Sequence, residues 1–365
     1  MKILSIVGAR PQFVKEAVIQ NEINKYDDIE EVVVHTGQHY DSNMSGVFFD
    51  VLNMRKPDYN LGIKASKHGE MTGKMIIELE EIILKEKPDV VLVYGDTNST
   101  LAGAIAASKL KVDIAHVEAG LRQEPKDMPE ETNRVLTDRI SSYLFTPSNL
   151  GVENLKREGI TQGVFFTGDV MYDIFLNMKP KFDYTLMEKL DLKENQYIMM
   201  TLHRDFNVDI PQKLEKILKE VNKISREIKV VFPIHPRTKK RITEFNFTHL
   251  TSEILMIEPI DYLKLMGLTQ NCYKVITDSG GYQKEAYFSG KQAVVIMPDT
   301  SWRELTDLGL NILSDEDNIY RNVMEAKTVE YVENIYGDGK AAEKVIYILR
   351  QGLESNDMRC KICPN

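Results

Sequence analysis

The chain has 365 residues, of which 42% are hydrophobic and 28% charged. This length favours two domains, and the composition is that of a globular protein without an apolar run long enough to cross a membrane. The formal net charge of −9 at pH 7 argues against broad binding to nucleic acids or acidic membranes, and three cysteines are too few for a disulfide framework.

The first predicted element is a strand at Lys2–Val7, which runs directly into a glycine turn in the stretch MKILSIVGARPQF. This stretch lacks the small-residue cleavage site of a signal peptide, so we expect a cytoplasmic location. Short apolar runs then alternate with longer amphipathic segments nearly to the end of the chain. The further predicted strands are Val32–His35, Val90–Val93, Ile114–Val117, Tyr143–Phe145, Val164–Thr167, Tyr197–Leu202, Val230–Ile234, Ile254–Ile257, Lys274–Thr277 and Ala293–Met297.

Most of these runs are rich in β-branched residues and do not alternate regularly, which is typical of strands buried on both faces. Their alternation with helical patterns predicts βαβ units, and therefore parallel sheets with right-handed crossovers. A charged stretch near Asp169 to Asn195 separates the strands into two sets. We therefore predict an α/β protein with two doubly wound domains, residues 1–171 and 172–340, and a final helix at about 341–355 that packs back on the first.

Ligands of open parallel sheets bind outside the carboxyl ends of the strands, so the residues that follow each strand are the candidates for a site. Five of the seven histidines lie at or beside these ends: His35, His39, His116, His203 and His235. A single histidine at such a place is more often a hydrogen-bonded structural residue. Together they indicate a cleft between the two sheets.

The absence of certain motifs after the strands argues against several kinds of chemistry. No G-x-G-x-x-G or G-x-x-x-x-G-K-[ST] motif is present, so a tightly held dinucleotide or a P-loop is not expected. The histidines lack metal-ligand spacing, and we expect no metal. Cys360 and Cys363 form a C-x-x-C without a companion pair, which favours a frayed tail over half a metal site or a redox pair.

Carboxylates are the remaining candidates for catalysis, with cations nearby along the chain. The acids are Asp96, Glu118, Glu130, Glu131, Glu258, Asp278 and Glu285, and the cations are Arg10, Lys15, Arg204 and Arg237. Such a set suits proton transfer on a phosphorylated substrate. Glu130 and Glu131 fit equally well as the acidic first turn of a helix that begins at a proline.

The stretch KVITDSGGYQKEA, residues 274–286, predicts an anion site. Gly280 and Gly281 would let the backbone turn tightly and approach a ligand closely, and the following helix would point its free N–H groups at an anion. Taken alone, an SGG segment is more often an ordinary strand-to-helix loop.

Eight motifs in order resemble the non-hydrolysing UDP-N-acetylglucosamine 2-epimerases: GARPQFVK, HTGQH, VYGDTNSTLAGA, HVEAGLR, PEETNR, LHR, IEPIDYL and TDSGGYQKEA. The resemblance extends over nearly the whole chain. It implies a GT-B-like fold of two Rossmann-type domains with the active site in the cleft between them, a homodimer, and no external cofactor. The implied reaction interconverts UDP-GlcNAc and UDP-ManNAc.

The resemblance also implies the roles of individual residues. The implied catalytic residues are Asp96, Glu118, Glu130 and His203. The implied substrate-binding residues are Arg10, Lys15, Arg134, Arg204, His235, Ser279, Gly280, Gly281, Glu285 and Arg303. Within this set, the SGG segment would hold the UDP diphosphate and Glu285 would accept from the ribose hydroxyls.

Three departures from the family pattern leave the substrate open. HRDFN places Phe206 where many relatives have an acid, and YDSNM lacks the pattern that some relatives have at a second, allosteric UDP-GlcNAc site. MPDTSWREL is closer to a branch that acts on UDP-2,3-diacetamido-2,3-dideoxy-glucuronic acid, and it makes Arg303 an uncertain match. That substrate is one alternative, and a GT-B glycosyltransferase with an acceptor site is a second.

Overall fold

Two parallel sheets form the framework of the computed structural model, which describes residues 1–37, 55–64, 67–124, 126–327 and 329–362. The chain divides into two units, Met1–Leu176 with Asn334–Asn365 (unit 1) and Asn177–Glu333 (unit 2). The described strands are β1 (Lys2–Val7), β2 (Glu30–His35), β3 (Tyr59–Asn60), β4 (Val90–Tyr94), β5 (Asp113–Val117), β6 (Tyr143–Thr146), β7 (Val164–Phe166), β8 (Tyr197–Thr201), β9 (Lys229–Pro233), β10 (Leu255–Ile257), β11 (Lys274–Thr277), β12 (Ala293–Val295) and β13 (Asn311–Leu313).

Helices connect the strands of each sheet. The described α-helices are α1 (Arg10–Ile23), α2 (His68–Glu86), α3 (Asn98–Lys109), α4 (Pro129–Ile140), α5 (Asn149–Arg157), α6 (Val170–Met178), α7 (Thr185–Lys189), α8 (Asp205–Val208), α9 (Pro211–Ser225), α10 (Pro236–Glu244), α11 (Tyr262–Asn271), α12 (Gly280–Phe288), α13 (Arg303–Asp307), α14 (Ile319–Met324) and α15 (Ala341–Ile362). Lys179–Lys181 and Thr248–Thr251 form short 3₁₀ helices. None of the helices in the described part of the chain combines the length and apolar character needed to span a membrane.

The strand order shows that each sheet is doubly wound. The sheet of unit 1 has the order β3-β2-β1-β4-β5-β6-β7, and the sheet of unit 2 has the order β10-β9-β8-β11-β12-β13. Neighbouring strands are parallel, with Ile3 opposite Val90 in the first sheet and Lys274 opposite Ile198 in the second. The strand order reverses between β1 and β4 in unit 1 and between β8 and β11 in unit 2, and such switch points are where ligands of this fold bind.

Each sheet carries its own apolar core. In unit 1, residues of β1 and β4 such as Ile6 and Val93 pack with Met75 and Leu79 of α2. In unit 2, apolar residues of β8 and β9 pack against apolar residues of α9. Burial on both faces explains why the strand sequences are continuous apolar runs.

The predicted fold class, with two doubly wound parallel-sheet domains, is confirmed. All eleven predicted strands are present, with ends that differ by at most two residues. Two strands were not predicted, β3 and β13, which have two and three residues and lie at the edges of their sheets. Such short segments carry too little periodicity to be recognised, and they become strands because a neighbouring strand pairs with them.

Candidate active site

The switch point of unit 1 is held together by Gln12, the final residue of the GARPQ segment. Its side-chain oxygen accepts from the N–H groups of Gly8 and Ala9, at 2.8 and 3.0 Å. Its amide nitrogen donates to the carbonyl of Tyr94 at 2.7 Å and to the hydroxyl of Thr97 at 2.9 Å. The buried Gln12 thus joins the loops that follow β1 and β4, a positioning role that was not predicted from the sequence.

Glu118 lies directly after β5, and its carboxylate forms an ion pair with Lys15 of α1. Both side chains are about nine-tenths buried. Glu118 has a φ of +73°, which is unusual for a residue with a side chain. Its N–H group and that of Ala119 both donate to the carbonyl of Phe145 at 3.0 Å, so the neighbouring strand fixes this conformation.

Gly95, the residue after β4, leaves room for this ion pair because it has no side chain. A Cβ atom at Gly95 would lie 3.2 Å from Oε2 of Glu118 and 3.5 Å from Nζ of Lys15. Gly95 also has a φ of +61°, a conformation that glycine adopts without strain. Glu118 and Lys15 therefore lie against the residue that immediately precedes Asp96.

Asp96 follows Gly95 and forms an ion pair with Arg134 of α4. The same guanidinium binds the carboxylate of Glu131 at 2.9 Å. Glu131 is buried, whereas Glu130 is exposed on the first turn of α4. Among the residues predicted for this half of the site, the structure thus gathers Asp96, Glu118, Lys15 and Arg134, and it leaves the side chain of Glu130 in solvent.

Asp278 organises the switch point of unit 2. This fully buried residue follows β11, and its carboxylate accepts from the N–H groups of His203 at 3.0 Å and Arg204 at 2.8 Å. It also accepts from the side-chain amide of Asn207 at 3.2 Å. The candidate carboxylate Asp278 therefore fixes the turn after β8, and the guanidinium of Arg204 extends from this turn as an exposed cation.

The ring of His203 lies 3.3 Å from Asp278 through Nδ1, and its centroid is 5.6 Å from that of His235. Burial lowers the pKa of His203, Asp278 opposes this effect, and the charges of Arg204, His235 and Arg237 reinforce it. His235 accepts from the N–H group of Arg237 through Nδ1 at 3.2 Å. The structure therefore favours a neutral His203 next to exposed cations.

The SGG segment begins α12, with Ser279 as the N-cap. The Ser279 hydroxyl accepts from the N–H group of Tyr282 at 3.3 Å. Neither Gly280 nor Gly281 has a positive φ, so the turn into α12 does not depend on a left-handed conformation at either glycine. A Cβ atom at Gly281 would meet nothing within 4 Å, and at Gly280 the nearest atom is Nη2 of Arg204 at 3.9 Å. The glycines instead leave the amino end of the helix uncovered beside a cation.

Two further predicted residues lie around α12. Glu285 lies one turn into the helix and is half-buried. The pKa of Tyr262 is raised mainly by burial of that tyrosine and further by the Glu285 carboxylate. Arg303 begins α13 and binds Asp299 at 3.0 Å. The preceding residue, Trp302, donates from its indole nitrogen to the carbonyl of Gly280 at 2.9 Å. The segment before Arg303 is thus packed against the start of α12.

Some of the predicted residues lie outside the described part of the structure. Arg10 is the first residue of α1, but its side chain is not described. His39 and the YDSNM stretch, with the question of an allosteric site, lie outside the described residues. The same holds for Cys363 and for the side chain of Cys360.

Known proteins resemble this chain over nearly its full length. A family model described as UDP-N-acetylglucosamine 2-epimerase matches residues 21–350. A "UDP-N-acetylglucosamine 2-epimerase homolog" from Methanococcus maripaludis is 45% identical, over 96% of this chain and 99% of the relative. The UDP-2,3-diacetamido-2,3-dideoxy-D-glucuronate 2-epimerase of Pseudomonas aeruginosa is 44% identical, over 94% of this chain and 98% of the relative.

Solved structures give the same result for the fold. The crystal structure of Methanocaldococcus jannaschii UDP-GlcNAc 2-epimerase, in complex with UDP-GlcNAc and UDP, superposes with a TM-score of 0.84 at 42% identity. The match covers 96% of this chain and 100% of that one. This similarity confirms the predicted GT-B-like fold class.

Proposed function

Because the chain belongs to the UDP-N-acetylglucosamine 2-epimerase family, as its motifs predicted, we propose that it interconverts UDP-GlcNAc and UDP-ManNAc without hydrolysis. The single observation that carries this proposal is the pair of carboxylates at the switch point of unit 1. Asp96 and Glu118 lie on neighbouring loops, and each is ion-paired with a cation from a different helix. Inversion at C2 requires proton transfer, and carboxylates held in place are suitable groups for it.

The start of α12 supports the assignment of UDP as the leaving group. The N–H groups of Gly280 and Gly281, at the amino end of α12, and the guanidinium of Arg204 form a site for the diphosphate. Glu285, one turn further along the helix, is placed to accept from the ribose hydroxyls. His203 follows β8 and His235 follows the neighbouring strand β9. Both histidines stabilise charge on the departing UDP.

The chemistry follows from the weak acidity of the C2 hydrogen of an N-acetylhexosamine. Cleavage of the anomeric C–O bond gives oxocarbenium character at C1, UDP departs with the bonding electrons, and a base removes the C2 proton. The product of this anti elimination is 2-acetamidoglucal. A proton then adds to C2 from the opposite face as UDP re-forms the bond to C1. Asp96, Glu118, Glu130 and His203 are the candidates for these two proton transfers.

A related substrate is the alternative that a specific observation favours. The P. aeruginosa relative, which is named for a 2,3-diacetamido glucuronate substrate, is as similar to this chain as the M. maripaludis relative is. The elimination and re-addition would be the same, because both sugars carry an acetamido group at C2.

Incubation of the protein with each UDP-sugar alone, followed by ¹H NMR, tests this proposal. We expect a second UDP-hexosamine to appear from UDP-GlcNAc without any acceptor. Conversion of the diacetamido glucuronate alone would assign the alternative substrate. A requirement for an acceptor would instead support the glycosyltransferase. The predicted cytoplasmic location, the homodimer, and the absence of nucleic-acid and membrane partners are part of the same proposal.

A further inference from the structure

A fully buried histidine and carboxylate lie beneath the two loops that carry Asp96 and Glu118. His116 is in β5 and Asp138 is in α4, and neither side chain is exposed. Nδ1 of the His116 ring is 2.7 Å from Oδ1 of Asp138. Neither residue has a role in the chemistry described above.

This pair contacts the backbone of both loops. Nε2 of His116 donates to the carbonyl of Gly95 at 2.7 Å, and that carbonyl belongs to the peptide group that leads into Asp96. Oδ2 of Asp138 accepts from the N–H group of Gly120 at 3.1 Å, two residues after Glu118. One hydrogen-bonded chain therefore runs from the Asp96 loop through the ring and the carboxylate to the Glu118 loop.

The partners of the pair determine where its protons are. A carbonyl oxygen only accepts, so Nε2 of His116 carries a proton. Oδ2 of Asp138 accepts from Gly120 and also from Arg122, at 2.8 Å. Burial alone would raise the pKa of Asp138, but the hydrogen bond to His116 and the charge of Arg122 outweigh burial and hold it below the ordinary value. Because Oδ2 of Asp138 accepts from a guanidinium and a backbone N–H group, Asp138 acts as a carboxylate, and its Oδ1 accepts from Nδ1 of His116. Both ring nitrogens of His116 are thus hydrogen-bond donors.

The loop after β5 has an unusual conformation, which the carbonyl of Phe145 fixes at Glu118 and the carboxylate of Asp138 fixes at Gly120. Glu118 and Gly120 have φ values of +73° and +79°. A Cβ atom at Gly120 would lie 2.4 Å from the carbonyl oxygen of Gly151, so this loop is packed tightly against α5. A non-glycine residue with a positive φ is strained, and it persists where its surroundings over-determine the backbone.

We propose that His116 and Asp138 form a buried imidazolium–carboxylate pair that positions the Asp96 and Glu118 carboxylates for proton transfer at C2. Both are positioning residues, because they contact the loops and not the substrate. The inference rests on the proposed epimerase function. Misplacing a reacting group by about 1 Å can lower the rate about 100-fold, so loss of the pair acts on kcat more than on binding of UDP.

Two substitutions separate the two contacts of the ring. The amide nitrogen of asparagine occupies nearly the place of Nδ1, so His116→Asn keeps the bond to Asp138 and loses the bond to Gly95. The amide nitrogen of glutamine lies close to the place of Nε2, so His116→Gln keeps the bond to Gly95. We expect kcat to fall about 10- to 100-fold in His116→Asn and by less than about 10-fold in His116→Gln. KM and the affinity for UDP should stay within about twofold of wild type.

Asp173→Ala is the matched control, because Asp173 is a buried carboxylate of unit 1 that accepts from the N–H groups of Ala341 and Ala342, at the start of α15. It should lower Tm and leave kcat unchanged. If His116→Asn lowered Tm as Asp173→Ala does and kept the wild-type kcat, His116 would be only structural and the proposal would be overturned.

A spectroscopic readout separates this inference from the proposed function. In protein labelled with ¹⁵N-histidine, the two ring signals that disappear in His116→Asn should both lie in the protonated range at neutral pH. An unprotonated ring nitrogen would overturn the ion pair even if the enzyme turns over. The protonated signature in a protein that epimerises neither UDP-sugar would instead refute the proposed function and leave the ion pair standing.

Discussion

At the scale of single residues, the two catalytic carboxylates of the proposal differ in their surroundings. The side chain of Glu118 is 10% exposed and that of Asp96 is 30% exposed. Lys15 reaches Glu118 from α1, whereas Arg134 reaches Asp96 from α4 and also binds Glu131. Glu118 is therefore the more shielded of the two, and its removal should affect proton transfer with little effect on the surface of the protein.

Glu118→Gln should reduce epimerisation by about 100- to 10,000-fold, the usual loss for a general acid–base residue. The amide has nearly the shape of the carboxylate but neither its charge nor its ability to accept the proton. Steady-state kinetics would measure the loss, and calorimetry with UDP would serve as the control for binding. Full activity in this variant would remove Glu118 from the chemistry.

Gly280→Val should weaken UDP binding and leave the fold intact. A Cβ atom at Gly280 has open space, with Nη2 of Arg204 at 3.9 Å, so the branched side chain would cover the N–H groups without a clash. Gly73→Val is a matched control, because Gly73 is also a helical glycine whose Cβ would meet nothing within 4 Å. Equal UDP affinity of the two variants in calorimetry would mean that α12 does not bind the diphosphate.

At the scale of elements, buried carboxylates anchor backbone N–H groups at several loop and helix ends. Asp278 binds the turn after β8, Asp138 binds the loop after β5, and Asp173 binds the first turn of α15. Each contact satisfies donors that would otherwise be buried without partners. The positions of the loops therefore depend on a small number of ionisable groups, whose protonation makes stability depend on pH.

Asp173 allows the predicted dependence of stability on pH to be tested at one buried carboxylate. Burial raises its pKa to about 6 from the ordinary 3.8, and the N–H groups of Ala342 and Ala341 only partly oppose this effect. The folded protein thus binds the proton more tightly than the unfolded chain. The stabilisation from this group is fully present below about pH 3.8 and is lost as the pH rises through about 6.

We therefore expect the Tm advantage of the wild type over Asp173→Ala to be larger at pH 5 than at pH 7.5. Thermal unfolding of both proteins at the two values would measure it. Because both proteins share the remaining titratable groups, the difference isolates Asp173. A difference in Tm that grows towards higher pH would contradict the assignment of a raised pKa.

At the scale of the whole molecule, the architecture was largely predictable from sequence and the details of the site were not. Buried parallel strands are continuous apolar runs, so their positions and the doubly wound class follow from local sequence. The bonds of Gln12 to Tyr94 and of His116 to Asp138 join residues 82 and 22 positions apart, and they become visible only when the strands are placed side by side. The SGG segment remains a predicted anion site, and its two glycines have helical and not left-handed backbone conformations.

The predicted homodimer is tested in solution by light scattering coupled to size-exclusion chromatography. We expect the mass of two chains at micromolar concentration, because the resemblance to the family implies a dimer. A mass of one chain over the whole concentration range would contradict this prediction.

In the proposed mechanism C2 of the sugar loses its hydrogen and regains one from solvent, and turnover in D₂O reveals this exchange. The protein is incubated with UDP-GlcNAc in D₂O, and deuterium at C2 of the product is measured by NMR and mass spectrometry. The proposed elimination and re-addition predict one deuterium at C2 of every UDP-ManNAc formed. A product that retains its original C2 hydrogen would contradict the mechanism, because hydride transfer within the site would then have to replace proton exchange.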